Sequence, residues 1–168
     1  MWRAKTLSMQ GKSEVFVREI VLSDETATQA LGARIAAGLK PGDAILLAGD
    51  LGAGKTALAR AVLCALGVEE SVPSPTFTLV QHYETQRLTV DHFDLYRIED
   101  ESEVDELGLD EAISSGAVLI EWPERAGSRI PDSALRIDLE IAGETRRRAR
   151  ASGPVRWAKV FTEGSNDA

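Results

Sequence analysis

Eight consecutive residues in the first third of the chain match the pattern of a phosphate-binding loop, G-x-x-x-x-G-K-[ST]. They are Gly49-Asp50-Leu51-Gly52-Ala53-Gly54-Lys55-Thr56. The glycines let successive backbone N–H groups converge on phosphate oxygens, and a helix beginning after the loop directs its positive end at the same anion. In such a loop Lys55 reaches the β- and γ-phosphates and the Thr56 hydroxyl binds Mg²⁺. The alternative, an ordinary glycine-rich turn, is disfavoured because the motif lies between an apolar strand and a helix. The pattern predicts a nucleotide site.

A magnesium ion in such a site needs one or two carboxylates besides the threonine. Glu121 directly follows the apolar run 118–120, and a charge at the end of a buried strand needs a partner, which favours a metal-linked role over a solvated strand end. A second acid, Asp94, lies in an alternating stretch that places three polar side chains on one face: His92, Asp94 and Tyr96. The spacing leaves open whether that row faces water or lines a cleft, with Asp94 as a second carboxylate or a water-orienting group.

Of three further positions, two carry two interpretations each and one carries a single interpretation. The loop Ser74-Pro75-Thr76-Phe77 follows the phosphate loop by about twenty residues, and a threonine there can contact Mg²⁺ and a γ-phosphate. From the residues alone, however, a turn or cap is preferred. Trp122 either packs at the edge of the core or forms an exposed anchor for a ligand or partner. Cys64, among Ala and Leu, is predicted to be a small buried apolar residue.

The elements that must position these residues alternate between strands and helices. Strands are predicted at 13–21, 43–48, 76–84, 87–95, 117–122 and 135–141, and helices follow the caps Ser23 and Asp24 and span 57–66. The strands 76–84 and 87–95 form an antiparallel hairpin, and the acidic stretch 99–111 forms short solvated helices. The fold class is therefore α/β, a single P-loop NTPase domain over 1–168 with a mixed sheet, an antiparallel component and flanking helices. Its motif-bearing core is about 20–125, and a basic strand region covers 135–162.

Composition restricts the class of protein further. The 168 residues carry a formal net charge of −8 and a single cysteine. A protein that binds nucleic acid through an overall positive charge is therefore disfavoured, and an internal disulfide is excluded. The chain has no apolar run of membrane-spanning length and no signal-peptide pattern. We expect a cytoplasmic protein with no membrane partner, and we predict no oligomeric state for the free protein.

Four blocks of sequence occur together in one order, and they resemble the TsaE (formerly YjeE) family of bacterial P-loop ATPases. Besides the phosphate loop they are Ser74-Pro75-Thr76-Phe77, His92-Phe93-Asp94-Leu95-Tyr96-Arg97 and Ile120-Glu121-Trp122-Pro123-Glu124. The resemblance covers about 23–125, and residues 1–19 match no motif. It implies a small P-loop α/β domain that binds ATP or ADP with Mg²⁺ and hydrolyses ATP slowly alone. It also implies that the protein acts together with a TsaD–TsaB complex. That complex transfers threonylcarbamoyl to the adenosine beside the anticodon of ANN-decoding tRNAs. ATP hydrolysis would reset that complex between turnovers, and contact with tRNA would be indirect, through the complex.

The same resemblance assigns catalytic and metal roles to five residues. Lys55 takes the phosphate role, and Thr56 and Glu121 take the magnesium roles. Asp94 becomes a metal-linked or catalytic carboxylate. Thr76 belongs to a switch-like loop and is a further catalytic candidate.

The resemblance also extends the nucleotide-binding set beyond the phosphate loop. Trp122 matches a tryptophan near the nucleotide and the partner surface. Glu25 and Thr26, at the turn into the first helix, match positions near the adenine. Together with residues 49–56 these three positions form the expected ATP or ADP site.

Two other functions compete with this interpretation. A small-molecule or nucleoside kinase uses the same loop, but it needs an acceptor pocket and usually an arginine-bearing lid, and the arginine-rich segment 146–150 is far downstream. A nucleotide-sensing module without required hydrolysis is the other alternative. A GTPase is disfavoured because the chain has no N-K-x-D motif. The segment 146–150 could contact tRNA or an acidic partner, although a solvated strand edge protected by charge is the preferred interpretation.

Overall fold

A seven-stranded mixed sheet with helices on both faces organises the chain. The computed structural model describes residues 14–69, 75 and 77–162. Two 3₁₀ segments, Pro123–Arg129 and Val155–Phe161, accompany the regular elements. In chain order these are β1 (Val15–Leu22), α1 (Glu25–Gly38), β2 (Ala44–Gly49), α2 (Lys55–Ala65), β3 (Val80–Glu84), β4 (Thr89–Asp94), α3 (Glu103–Glu106), α4 (Leu109–Ser115), β5 (Ala117–Glu121), β6 (Leu135–Ile141) and β7 (Arg147–Pro154).

The strand order is β1-β7-β6-β2-β5-β4-β3. The four strands β6, β2, β5 and β4 are parallel, whereas β3, β7 and β1 join antiparallel at the two sides. The predicted α/β class with an antiparallel component is thus confirmed. Because parallel strands share one carboxyl edge, the ends of β2, β5 and β4 lie side by side, and this is where a ligand site is expected in an open α/β sheet.

The helix α1 has a defined cap at each end. The Asp24 side chain accepts a hydrogen bond from the Ala27 backbone N–H at 2.9 Å, as the predicted N-cap requires. At the other end the guanidinium of Arg87 donates to the carbonyls of Ala36 and Leu39 at 2.8 and 2.9 Å. These bonds satisfy carbonyls that a helix end leaves unpaired, and they tie α1 to the β3–β4 hairpin.

Apolar side chains cover both faces of the central strands. One cluster packs α1, α2 and the 155–161 segment on the sheet, with Trp157 and Phe161 fully buried. The other packs α3, α4 and the 123–129 segment on it through Val104 and Phe93. The predicted short helices in the acidic stretch therefore exist, and their apolar residues anchor them while most acids face water.

Three expectations from the sequence are wrong in detail. Cys64 is exposed, because it lies on the side of α2 away from α1 and the sheet. The third strand begins at Val80, not 76, since Leu79 has φ 65° and breaks the extended backbone. The basic segment is not a sheet edge, because β7 pairs with both β1 and β6. Of the loop 74–77, only Pro75 and Phe77 are within the described residues.

Candidate nucleotide-binding site

The phosphate loop connects the end of β2 to the start of α2, and its backbone requires glycine. Gly49 has φ +140°, and a Cβ there would lie 2.3 Å from the carbonyl oxygen of Leu139 on the adjacent β6. Gly54, the residue before α2, has φ +106°. A side chain at Gly54 would strain the loop, and one at Gly49 would clash with β6, so glycine at Gly49 lets the loop approach the sheet closely.

Lys55 is the buried cation of this loop. It is 5% exposed, and its Nζ donates to the carbonyls of Gly49 and Asp50 at 2.6 and 2.9 Å. The same Nζ lies 4.0 Å from the centroid of the Trp122 ring. Burial lowers the pKa of Lys55 below its ordinary value, and nearby carboxylates, Glu121 foremost, oppose that shift. A polyanion entering the loop would strengthen the charged form further.

Three side chains from three elements form a continuous chain of hydrogen bonds beside the loop. Thr56 Oγ1 donates to Glu121 Oε1 at 2.7 Å, and Glu121 Oε2 lies 2.7 Å from His92 Nε2. His92 and Glu121 are 0% and 2% exposed. A hydroxyl and a carboxylate oxygen in contact are the hard donors that Mg²⁺ accepts, with water completing its shell.

Two of the three polar residues in the row, Asp94 and Tyr96, line a cleft, whereas His92 is fully buried. Asp94 is buried opposite Glu121 in the β4–β5 register, and its Oδ1 accepts from the Tyr96 backbone N–H at 3.0 Å. The ring of Tyr96 lies 5.0 Å from that of Trp122, centroid to centroid. Trp122 itself adopts φ 59°, which turns the chain sharply after β5. Both rings line the cleft together with the two acids.

These groups line one cavity of about 410 Å³. Besides loop and α2 residues its walls include Asp94, Tyr96, Glu121, Trp122 and Arg147. Arg147 is the residue that the sequence analysis missed. Its Nη2 donates to the Gly52 carbonyl at 3.3 Å and its Nη1 to three carbonyls of the β6–β7 turn, Gly143, Glu144 and Arg146. The basic run was visible in the sequence, but only the strand pairing shows which arginine returns to the loop.

Some sequence candidates lie elsewhere or are not described. Glu25 and Thr26 are exposed in the first turn of α1 and are not among the cavity-lining residues. Thr76 lies outside the described residues, so its expected role remains a prediction. Phe77 is 81% exposed, with the Arg97 guanidinium 4.4 Å from its ring centroid.

The described residues contain neither a cluster of metal-binding side chains nor a membrane-spanning helix. Within 14–69, 75 and 77–162, no group of three or more His, Cys, Asp and Glu side chains is arranged to hold a metal ion. A site of Thr56 with one or two carboxylates does not need such a group. No helix in that part of the chain is long and apolar enough to cross a bilayer.

Comparisons with known proteins identify a family for the chain. A family model described as threonylcarbamoyl adenosine biosynthesis protein TsaE matches residues 22–149. Curated relatives named tRNA threonylcarbamoyladenosine biosynthesis protein TsaE include those of Bacillus subtilis, at 42% identity over 71% of this chain and 75% of the relative, and of Rickettsia felis, at 39% over 76% and 75%. The relative from Aquifex aeolicus is 38% identical over 80% of this chain and 95% of its own.

A solved structure shows the same architecture. The crystal structure of Bacillus subtilis YdiB superposes with a TM-score of 0.73 at 30% sequence identity, covering 87% of this chain and 92% of the other. The matched part includes most of the sheet described above. The fold is thus shared with a known structure over nearly its whole length.

Proposed function

The chain belongs to the TsaE family, and from that premise we propose that it is an ATP-binding and ATP-hydrolysing subunit of tRNA threonylcarbamoyladenosine biosynthesis. Its activity depends on Mg²⁺, and it supports a TsaD–TsaB complex in threonylcarbamoyl transfer to tRNA. The observation that carries the proposal is the contact of Thr56 with Glu121 directly beside the Lys55 ammonium. A metal-binding pair and a phosphate-binding cation at one loop are the parts that nucleotide hydrolysis needs.

Binding of the triphosphate uses the loop amides and two cations. Lys55 exchanges its bonds to the Gly49 and Asp50 carbonyls for phosphate oxygens, which keeps the buried ammonium paired throughout. Arg147 approaches from the opposite side, next to Gly52. Guanidinium groups favour bidentate bonds to phosphate, so Arg147 fixes the orientation of the phosphates as well as adding charge.

Thr56 and Glu121 would hold the magnesium ion, with Asp94 as the adjacent carboxylate. When bound, the ion supplies neutralising charge at the β- and γ-phosphate oxygens. The chain itself keeps the acids in place: Glu121 is held from both of its oxygens, and Asp94 is held by the Tyr96 backbone. Asp94 then orients the attacking water and accepts its proton at the carboxylate.

The rim of the cavity offers a surface through which a partner could sense the nucleotide. Leu51 is 77% and Tyr96 45% exposed, and both line the cavity. Large exposed apolar side chains at a ligand site mark an interaction surface more often than isolated ones do. A TsaD–TsaB complex seated there would close the cavity over the nucleotide and exclude bulk water while the attacking water stays at Asp94, so hydrolysis would depend on the partner.

The test is reconstituted tRNA modification with purified TsaD and TsaB, with and without this protein, followed over several turnovers. We expect product beyond the first turnover only with this protein and ATP. Lys55→Ala should abolish nucleotide binding in calorimetry. Asp94→Asn should bind ATP but not sustain turnover. Arg148→Ala, an exposed arginine outside the cavity, is the matched control.

Two results would reject the proposal in favour of the alternatives. Full multi-turnover modification by an Asp94→Asn protein that no longer hydrolyses ATP would indicate a nucleotide-sensing module. Phosphorylated product from ATP and a nucleoside or small alcohol, formed by the protein alone, would indicate a kinase.

A further inference from the structure

His92 is a fully buried imidazole in contact with a buried carboxylate at the cavity. Its Nε2 lies 2.7 Å from Glu121 Oε2, at 0% and 3% side-chain exposure. Its other ring nitrogen, Nδ1, is buried and has no hydrogen-bond partner among the described residues. The imidazole is therefore anchored through Nε2 alone.

The direction of the hydrogen bond follows from the chemistry of the carboxylate. A carboxylate only accepts hydrogen bonds, so the imidazole tautomer that makes this bond to a carboxylate carries its proton on Nε2. The opposite oxygen of Glu121 accepts from Thr56. The carboxylate is thereby held at both oxygens, and its rotation about the terminal bond is blocked.

We propose that His92 is a positioning residue, which fixes the Glu121 carboxylate so that Oε1 faces Thr56 and the magnesium position. The inference rests on the proposed Mg²⁺-dependent function and assigns His92 no contact with nucleotide or metal. Hydrogen-bonded partners behind a metal-binding side chain orient it, and their loss typically weakens metal affinity about 10- to 100-fold. His92 does this from β4, two residues before Asp94 and on the same face of the strand.

A purely structural role predicts a different arrangement. A buried histidine retained for packing would be expected to have both ring nitrogens paired, because an unpaired polar atom is costly to bury. Here the buried Nδ1 lacks a partner while Nε2 is committed to Glu121. His92 thus holds the Glu121 carboxylate through Nε2 while its Nδ1 remains unsatisfied.

The test compares two amides that each mimic one ring nitrogen. In His92→Gln the side-chain nitrogen approximates the position of Nε2, and in His92→Asn it approximates that of Nδ1. Kd for ADP is measured for each full-length variant across a Mg²⁺ titration and in EDTA. We expect His92→Asn to need at least about tenfold more Mg²⁺, and His92→Gln to stay near the wild-type requirement. The Kd in EDTA should be unchanged in both variants.

Several outcomes would overturn the inference. An unchanged Mg²⁺ requirement in His92→Asn would do so. An equal increase in the Mg²⁺ requirement of both variants, or a loss of ADP affinity that persists in EDTA, would also do so. If the variants do not fold, ¹⁵N NMR of the wild-type imidazole decides the matter: a proton on Nε2 supports the inference, and an unprotonated Nε2 refutes it. A wild-type protein whose ADP affinity ignores Mg²⁺ would instead reject the proposed function.

Discussion

The packing of α1 on α2 gives a sharp prediction, because the two helices touch at a glycine. A Cβ built at the buried Gly32 lies 2.4 Å from the Ala61 Cβ and 2.7 and 2.9 Å from backbone atoms of Ala61 and Val62. Ordinary contacts are at least 3.4 Å, so Gly32→Ala requires α2 to move away by roughly 1 Å. Backbone atoms cannot rotate aside as a flexible side chain does.

The magnitude follows from two opposing effects. Alanine is favoured over glycine within a helix by about 1 kcal/mol. Overpacking a close-packed core costs about 1–3 kcal/mol, and overlap with backbone atoms places this site at the upper end. The expected net loss is about 2 kcal/mol in the free energy of unfolding, and in a chain of this length this lowers Tm by about 4–8 °C.

The displacement should also reach the nucleotide site, since α2 begins at Lys55. We therefore expect Gly32→Ala to weaken ADP binding as well as stability, measured by calorimetry and thermal unfolding. The matched control is Gln29→Ala, at an exposed position of the same helix, with a stability change within about 0.5 kcal/mol. A Gly32→Ala protein as stable as the wild type would refute the packing argument. Lower stability with unchanged ADP affinity would refute the coupling to the loop.

Three further predictions concern single side chains. Arg147→Ala should weaken ATP binding about tenfold or more in calorimetry, because it removes a guanidinium from the cavity wall; unchanged affinity would exclude Arg147 from the site. Arg129→Ala should raise the pKa of Asp105 in a carboxyl NMR titration, because the Arg129 hydrogen bond holds that pKa below its ordinary value. In the wild type, Asp105 stabilises the fold above its unfolded-state pKa, and this contribution is lost as the pH falls through its lower folded-state pKa. The Arg129→Ala variant should therefore lose less stability than the wild type on acidification. Asp24→Ala should lower the free energy of unfolding by about 1 kcal/mol in urea titrations, through loss of the helix cap.

The sequence predicted the central fold where local pattern and burial coincide. The apolar runs of β2 and β5 are buried along nearly their whole length, and both strands were predicted within one or two residues. The hairpin β3–β4 was predicted to be antiparallel, and the structure confirms this. The errors fall at positions where the surroundings of a residue, and not its type, determine its backbone conformation or its burial. Leu79 is apolar but takes a left-handed backbone, and Cys64 lies on the outer side of α2.

The site was predictable to the extent that the carboxyl ends of parallel strands meet. Thr56 and Glu121 are 65 residues apart, yet the β2–β5 pairing places them within hydrogen-bond distance. Arg147 could not be identified in this way. It reaches the loop through an antiparallel return after β6, and the number of residues in that turn selects Arg147 over Arg146 or Arg148.

The charges that converge on the cavity give a reason to expect tighter nucleotide binding with a divalent ion than without one. Lys55 and Arg147 bring two cationic side chains to the cavity wall, and Asp94 and Glu121 bring two carboxyl groups, so these four side chains together offer no net positive charge to a nucleotide carrying three or four negative charges. Both acids are nearly inaccessible to solvent, and water screens a buried charge poorly. Under the proposed function, ADP without metal would therefore meet poorly screened repulsion from the two carboxyl groups proposed to hold or adjoin the ion. We therefore expect these acids to favour the metal complex of the nucleotide, and we expect this preference to weaken if the carboxylate of Glu121 is free to rotate away from Thr56.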